Sequence, residues 1–123
     1  MDTNTTRFEV SDKVAWITLN RPEAMNSLNP DLRWQLSEHL NEVEQNDDIW
    51  LAVITGAGER AFCAGADLKH RAIERQADDK QRLKWRELAE QTTHIAERWH
   101  FSKPLLAMVN GFALGGGLEI ALA

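Results

Sequence analysis

The sequence predicts an α/β fold in which short strands and helices alternate. Three observations carry that prediction: a two-strand period near the start, a helix-period stripe after it, and two later apolar runs that are each followed by small residues. At 123 residues the chain has room for one domain with a single core, so 1–123 is read as part of one domain. No internal repeat or low-complexity tract divides it.

The first strands fall at Arg7 to Val10 and Val14 to Leu19. Val14, Trp16 and Thr18 alternate with Ala15, Ile17 and Leu19, and Ser11-Asp12-Lys13 forms the turn of a hairpin. Pro22 lacks an amide hydrogen and pushes Arg21 towards extended geometry, so the strand pair ends there. Asn29 is a good N-cap and Pro30 suits the first helical position. Leu32, Leu36, Leu40 and Val43 then recur at helical spacing until Asn46-Asp47-Asp48 ends the helix. Leu51 to Thr55 is an uninterrupted apolar run, the pattern of a strand covered on both faces.

From Asp67 to about His100 the chain is charged, and Leu83, Leu88, Ile95 and Trp99 make a ragged stripe. Two helices with a mobile joint are expected, with Ile73 to Gln81 as an exposed face or a lid. Trp34, Trp85 and Trp99 are assigned to helical segments and to packing or subunit contacts. Leu105 to Val109 is read as another buried strand. Asn110-Gly111 turns the chain, and Gly115-Gly116-Gly117 leads into a helix that stops at Ala123 without a cap, which points to truncation.

Composition narrows the function. A net charge of −5 disfavours polyanions as general partners, so nucleic acid is not expected. No apolar run approaches the ~20 residues of a membrane helix, and the polar opening Met1-Asp2-Thr3-Asn4-Thr5-Thr6 has no leader pattern, which gives a cytoplasmic expectation. The single cysteine, Cys63, reads as a small buried hydrophobe, and the four histidines show no metal-ligand spacing, so no metal is expected. Gly56-Ala57-Gly58-Glu59-Arg60-Ala61 loosely matches a dinucleotide fingerprint. It fails because Phe62-Cys63-Ala64-Gly65 interrupts the helix that the fingerprint needs.

The chemistry concentrates in two segments, Ala61 to Asp67 and Asn110 to Glu119, which both place small residues where a sheet meets a helix. A ligand can approach such backbone closely, and the first amides of a helix have no internal partner. Glu119 follows Gly116 by three residues and so lies about one turn further along the same helix face.

Five segments, in order, carry a family resemblance: Ile17-Thr18-Leu19-Asn20-Arg21-Pro22; Asn26-Ser27-Leu28; Val53-Ile54-Thr55-Gly56; Phe62-Cys63-Ala64-Gly65-Ala66-Asp67-Leu68; and Lys103-Pro104 through Val109-Asn110-Gly111 to Gly115-Gly116-Gly117-Leu118-Glu119. Together they resemble the crotonase superfamily of enoyl-CoA hydratases and isomerases, over essentially the whole chain. The resemblance implies the N-terminal part of a crotonase-like spiral of repeated β-β-α units, cut after the helix that begins near Gly116. It implies an acyl-CoA substrate, with coenzyme A entering as part of that substrate and no tightly bound cofactor, and a homotrimer or hexamer for the full-length protein.

By the same resemblance the amides of Ala66 and Gly116 form an oxyanion hole for the thioester oxygen, and Glu119 is one of two glutamates that hold water and move protons. Ala64, Ala66, Asp67, Leu68, Lys69 and Gly116 fall at coenzyme A-binding positions. Two departures stand out: the second glutamate is expected downstream of Ala123, and Glu23 stands where many relatives carry a lysine. They leave a second possibility, a non-catalytic acyl-CoA-binding or assembly module.

Overall fold

A computed structural model describes residues 4–123. Residues 1–3 of the polar opening lie outside the described part. The hairpin forms as expected from β1 (Thr6–Ser11) and β2 (Val14–Leu19), which pair antiparallel with Ser11 opposite Val14. Asp12 and Lys13 take positive φ in the turn. On β2 the residues Ala15, Ile17 and Leu19 point into the core, as the period-two pattern requires.

Helix α1 (Pro30–Gln45) starts where Asn29 accepts the Leu32 amide hydrogen and carries Leu32, Leu36, Leu40 and Val43 on its buried face. Its last carbonyls do not end bare: the Lys103 ammonium donates to the carbonyls of Val43 and Asn46 at 2.6 and 2.7 Å. Strand β3 (Leu51–Gly56) runs parallel to β2, and Ala52, Val53 and Ile54 are all buried. The four-stranded sheet is completed by β5 (Leu105–Met108), in the order β1-β2-β3-β5.

A second, two-stranded parallel sheet joins β4 (Ala61–Cys63) to β6 (Phe112–Ala113). These strands were not foreseen. The sequence reading ran Ala61 to Asp67 straight into a helix start, whereas its first three residues extend and pair with residues 50 positions away. Between β3 and β4 the glycine-rich stretch forms bends with no helix, so the dinucleotide reading has no structural support.

The charged middle of the chain contains α2 (Leu68–Gln76) and α3 (Asp79–Glu90), capped by the side chains of Asp67 and Asp78. Neither helix buries a residue completely. Ile95, in a short 3₁₀ turn at Ile95–Glu97, supplies the buried contact instead. Trp99 lies beyond that turn and is 87% exposed, so its assignment to a helical segment is corrected.

The expectation of a buried strand at Leu105 to Val109 is also corrected. β5 is the edge strand, flanked only by β3, and Leu106, Met108 and Val109 are each 50% exposed. An apolar run reports what a strand can bury, not what covers it. The final helix, α4 (Gly116–Leu122), sets Ile120 into the core. Among the described residues no helix is long and apolar enough to cross a membrane.

Candidate active site

The loop between β2 and α1 organises the first half of the site. Asn26 is fully buried in a left-handed conformation that asparagine tolerates, and its side chain makes three bonds. Its amide donates to the carbonyls of Ala57 and Ala61, both at 3.0 Å, and its oxygen accepts the Arg21 amide hydrogen at 2.8 Å. Arg21 then reaches back with its guanidinium, donating to the Ser27 carbonyl at 2.6 Å and to the Asp67 carboxylate at 2.8 Å. Sequence reading used these residues as family markers and missed their role, which is to staple the strand exit to the start of α2.

Asp67 accepts from two directions, since its other oxygen takes the His70 amide hydrogen at 3.0 Å as the N-cap of α2. Burial by itself would raise the Asp67 pKa. The His70 amide, the Arg21 guanidinium and the Lys69 amide outweigh burial and hold it below the usual carboxylate range. The side chain is committed to the frame.

Leu28 fixes the direction of Ala66. Its amide donates to the Gly65 carbonyl at 2.7 Å and its carbonyl accepts from the Asp67 amide at 3.2 Å, a parallel bridge opposite Ala66. In such a bridge the residue facing Leu28 turns its own N–H and C=O to the opposite side. The Ala66 amide therefore points away from Leu28, and among the described residues it has no acceptor.

The second half comes from the β5–α4 connection. Asn110 accepts the Gly56 amide hydrogen at 3.0 Å and donates to the carbonyls of Gly58 and Ala61. Phe112 donates to Arg60 and Leu114 donates to Cys63, which lays this segment along β4. Gly117 closes the contact, because a methyl group there would strike the Cys63 carbonyl. Gly116 is the first residue of α4, and its amide has no acceptor among the described residues.

The two small-residue segments therefore meet. A Cβ on Gly65 would lie 2.8 Å from the Leu114 carbonyl oxygen and 3.3 Å from the Gly116 nitrogen, and one on Gly116 would lie 4.0 Å from the Gly65 Cα. Gly65 has φ +93° and Gly115 φ +51°, conformations that also favour glycine. Among the predicted site residues, Ala64, Ala66 and Gly116 share this junction. Leu68 and Lys69 stand exposed on the first turn of α2, and Glu23 is exposed in the 3₁₀ turn Pro22–Ala24 between β2 and α1.

Glu119 stands in the first turn of α4, three residues after Gly116, and its side chain is 67% exposed. Among the described residues its neighbour is His94, with Nε2 4.0 Å from the carboxylate. Sequence reading dismissed the histidines on metal spacing alone. No local pattern links His94 to Glu119, because their proximity depends on how the 3₁₀ turn docks against α4. Cys63 is fully buried, and burial pushes its thiol pKa up, which agrees with its reading as a small buried hydrophobe.

A cleft of about 860 Å³ opens from this junction between α1, α2, α3 and the 3₁₀ turn. Leu28 and Ile120 line its inner end. Leu28 also touches the junction directly: its Cδ1 lies 2.9 Å from where a Gly116 Cβ would stand.

Comparison with known proteins agrees with the fold and with the resemblance. Residues 9–123 match the family model described as enoyl-CoA hydratase/isomerase. The chain is 46% identical to (E)-benzylidenesuccinyl-CoA hydratase of Thauera aromatica, an alignment covering 94% of this chain and 43% of that protein. It is 36% identical to the short-chain-enoyl-CoA hydratase of Clostridium acetobutylicum, over 100% of this chain and 45% of the relative. The crystal structure of an enoyl-CoA hydratase from Bacillus anthracis superposes with a TM-score of 0.76 at 34% identity, covering 96% of this chain and 44% of that one. The chain thus spans under half the length of these relatives. With a family model matched from the first hairpin to the last residue and a shared crotonase fold, the chain belongs to the enoyl-CoA hydratase/isomerase family.

Proposed function

We propose that the full-length polypeptide acts on α,β-unsaturated acyl-CoA thioesters, with the amides of Ala66 and Gly116 donating to the thioester oxygen. The carrying observation is the meeting of Gly65-Ala66 with Gly115-Gly116, two crossings that each leave one amide without an internal acceptor. Adding water across the double bond, or moving that bond, passes through an enolate-like state with negative charge on this oxygen. Donors that are already aligned stabilise that charge with little reorganisation, and one such donor is typically worth about 2.7 to 4 kcal/mol.

In this reading Glu119 holds the water or transfers the proton beside the carbonyl. His94 orients its carboxylate, supported by their 4.0 Å approach. A second acid–base group comes from the part of the relatives' length that this chain does not span. Coenzyme A arrives as part of the substrate: Ala64, Ala66 and Gly116 border its thioester end, and Leu68 and Lys69 border the path towards its nucleotide. Asp67 contributes by fixing that path, since its carboxylate is already bonded to Arg21. Assembly into trimers or pairs of trimers belongs to the same reading, by analogy with the family.

The test is Glu119→Gln in the full-length polypeptide, with turnover and binding measured separately. The expected result is at least a hundredfold loss of turnover of an unsaturated acyl-CoA, on the order of general acid–base contributions, with binding of a saturated thioester retained. Unchanged turnover would remove Glu119 from the chemistry. Binding without turnover in the unmutated protein would favour the non-catalytic module instead.

A further inference from the structure

His94 reaches the cleft from a turn that is held more firmly than its length suggests. The 3₁₀ turn Ile95–Glu97 has three residues, yet Ile95 is buried in the core and both flanks of the turn are bonded to α1. The Thr93 amide donates to the Ser37 hydroxyl at 2.9 Å. Arg98 donates to the same hydroxyl and to the Ser37 carbonyl, both at 3.0 Å, and to the Asn41 side-chain oxygen at 2.9 Å. Ser37 is itself buried, so solvent does not compete for these bonds and the backbone at His94 has little freedom.

The ring is fixed as well. His94 is the N-cap of the turn, and its Nδ1 accepts the Ala96 amide hydrogen at 3.1 Å. A ring nitrogen that accepts carries no hydrogen, so in the neutral imidazole the hydrogen is on Nε2 and that nitrogen is a donor. Nε2 is the atom that faces Glu119, 4.0 Å from its carboxylate oxygen.

That separation has a chemical meaning. A direct N–H···O bond would fall at about 2.7 to 3.2 Å. Two groups that each bond one water at about 2.8 Å stand about 4.0 to 4.6 Å apart, for angles at the water of about 90 to 110°. The pair therefore has the spacing and the polarity to hold one water, with Nε2–H donating to its oxygen and the carboxylate accepting one of its hydrogens. His94 lines the cleft that opens from the amide junction, and so does Ile120, the residue after Glu119.

We propose that His94 is a further catalytic residue, holding the reacting water together with Glu119, so that the reaction is addition of water to the double bond. This rests on the Glu119 reading above and adds a second contact to the same water. As the bond from the water oxygen to the β-carbon forms, one water O–H bond breaks and its proton goes to the Glu119 carboxylate. The π electrons of the double bond move to the thioester oxygen at the two amides. The α-carbon then takes a proton from the second acid–base group, which solvent restores as Glu119 releases its own. His94 keeps its hydrogen throughout and fixes which lone pair of the water faces the β-carbon.

Two replacements divide the roles of the ring. Asparagine places its oxygen near the Nδ1 position and keeps the cap but ends short of Nε2, whereas glutamine brings an N–H donor to the Nε2 position and gives up the cap. Hydration of crotonyl-CoA by the full-length polypeptide is measured beside calorimetric binding of butyryl-CoA and urea unfolding. His94→Asn is expected to lower kcat about tenfold, the worth of one hydrogen bond, with butyryl-CoA binding and the urea midpoint unchanged. His94→Gln is expected to recover most of the rate that asparagine loses, at some loss of stability. On a Glu119→Gln background His94→Asn should cost less than about twofold more, because both groups act on one water. Rates that follow stability, with asparagine at or above glutamine, overturn the proposal and leave His94 as a cap alone. An equal fold-loss from His94→Asn with and without Glu119 also overturns it. In both of those cases Glu119→Gln by itself stays slow and the Glu119 reading stands. If Glu119→Gln leaves kcat unchanged, that reading fails and this inference falls with it.

Discussion

Replacing Gly65 by alanine tests the junction directly, because the same residue is strained by its own backbone and crowded by its neighbours. Its φ of +93° disfavours any Cβ, at a cost of about 1 to 2 kcal/mol. The new methyl would also stand 2.8 Å from the Leu114 carbonyl oxygen and 3.3 Å from the Gly116 nitrogen, both main-chain atoms. Main chain cannot rotate aside as a side chain can, so the two crossings must separate by several tenths of an ångström. Gly58→Ala is the matched control: its φ is +85°, and its Cβ would meet only the Pro22 Cβ at 3.2 Å, away from the amides. Urea unfolding is expected to show both variants destabilised, Gly65→Ala by about 2 to 4 kcal/mol and Gly58→Ala by about 1 to 2 kcal/mol. Turnover of an unsaturated acyl-CoA by the full-length protein should separate them more sharply. Displacement of one donor costs Gly65→Ala about a hundredfold, and Gly58→Ala keeps its rate within a few-fold. A folded Gly65→Ala enzyme as fast as the control would refute the claim that the two crossings share one oxygen.

The remaining predictions concern stability and pH. Arg21→Met leaves the Asp67 carboxylate with only its backbone donors and should cost about 2 to 4 kcal/mol in urea unfolding. Because the folded pKa of Asp67 is held below 3.8, its contribution is present above that value and is lost as pH falls through the folded pKa; the methionine variant should show a smaller loss over that acid range. Burial lowers the His39 pKa below 6.5, and the ring stacks on Phe8 at 4.7 Å with Nε2 2.7 Å from the Thr6 hydroxyl. Its contribution is therefore present above pH 6.5 and declines as pH falls below it. In unfolding curves between pH 7 and 5, that decline should disappear in His39→Gln and persist in a surface variant such as His100→Gln.

What could be read from the sequence was what neighbouring residues determine. The hairpin, α1 with its Asn29 cap, and β3 each announce themselves within a window shorter than 20 residues, through a period or a capping residue. The two small-residue crossings were legible for the same reason. The β4–β6 pair was not, since two strands of three and two residues have no period, and their pairing joins Ala61 to Phe112. The exposure of β5 was hidden because Leu106 and Met108 look the same to a pattern whether or not anything covers them. Nor could the pattern distinguish a solvated face from a lined cleft: Arg71 and Arg75 on α2 read as a polar stripe until α1 and α3 stand opposite them. His94 and Glu119, 25 positions apart, became neighbours only through packing.

The main-chain origin of the proposed donors explains where substitutions should be felt. An amide hydrogen cannot be deleted by changing the side chain of Ala66 or Gly116; it can only be moved. Control of the oxyanion contact therefore passes to residues that set the path of the backbone. Gly65 and Gly117 allow the close approach, Leu28 turns the Ala66 amide, and Asn26 and Asn110 both bind the Ala61 carbonyl from opposite sides of the junction. Two asparagines from segments 84 residues apart in sequence hold one carbonyl, so a shift of either loop is transmitted to β4 and to the amide beyond it. Side chains off this frame are free of that duty, so a change at Glu119 is expected to alter the proposed proton transfer without moving either amide.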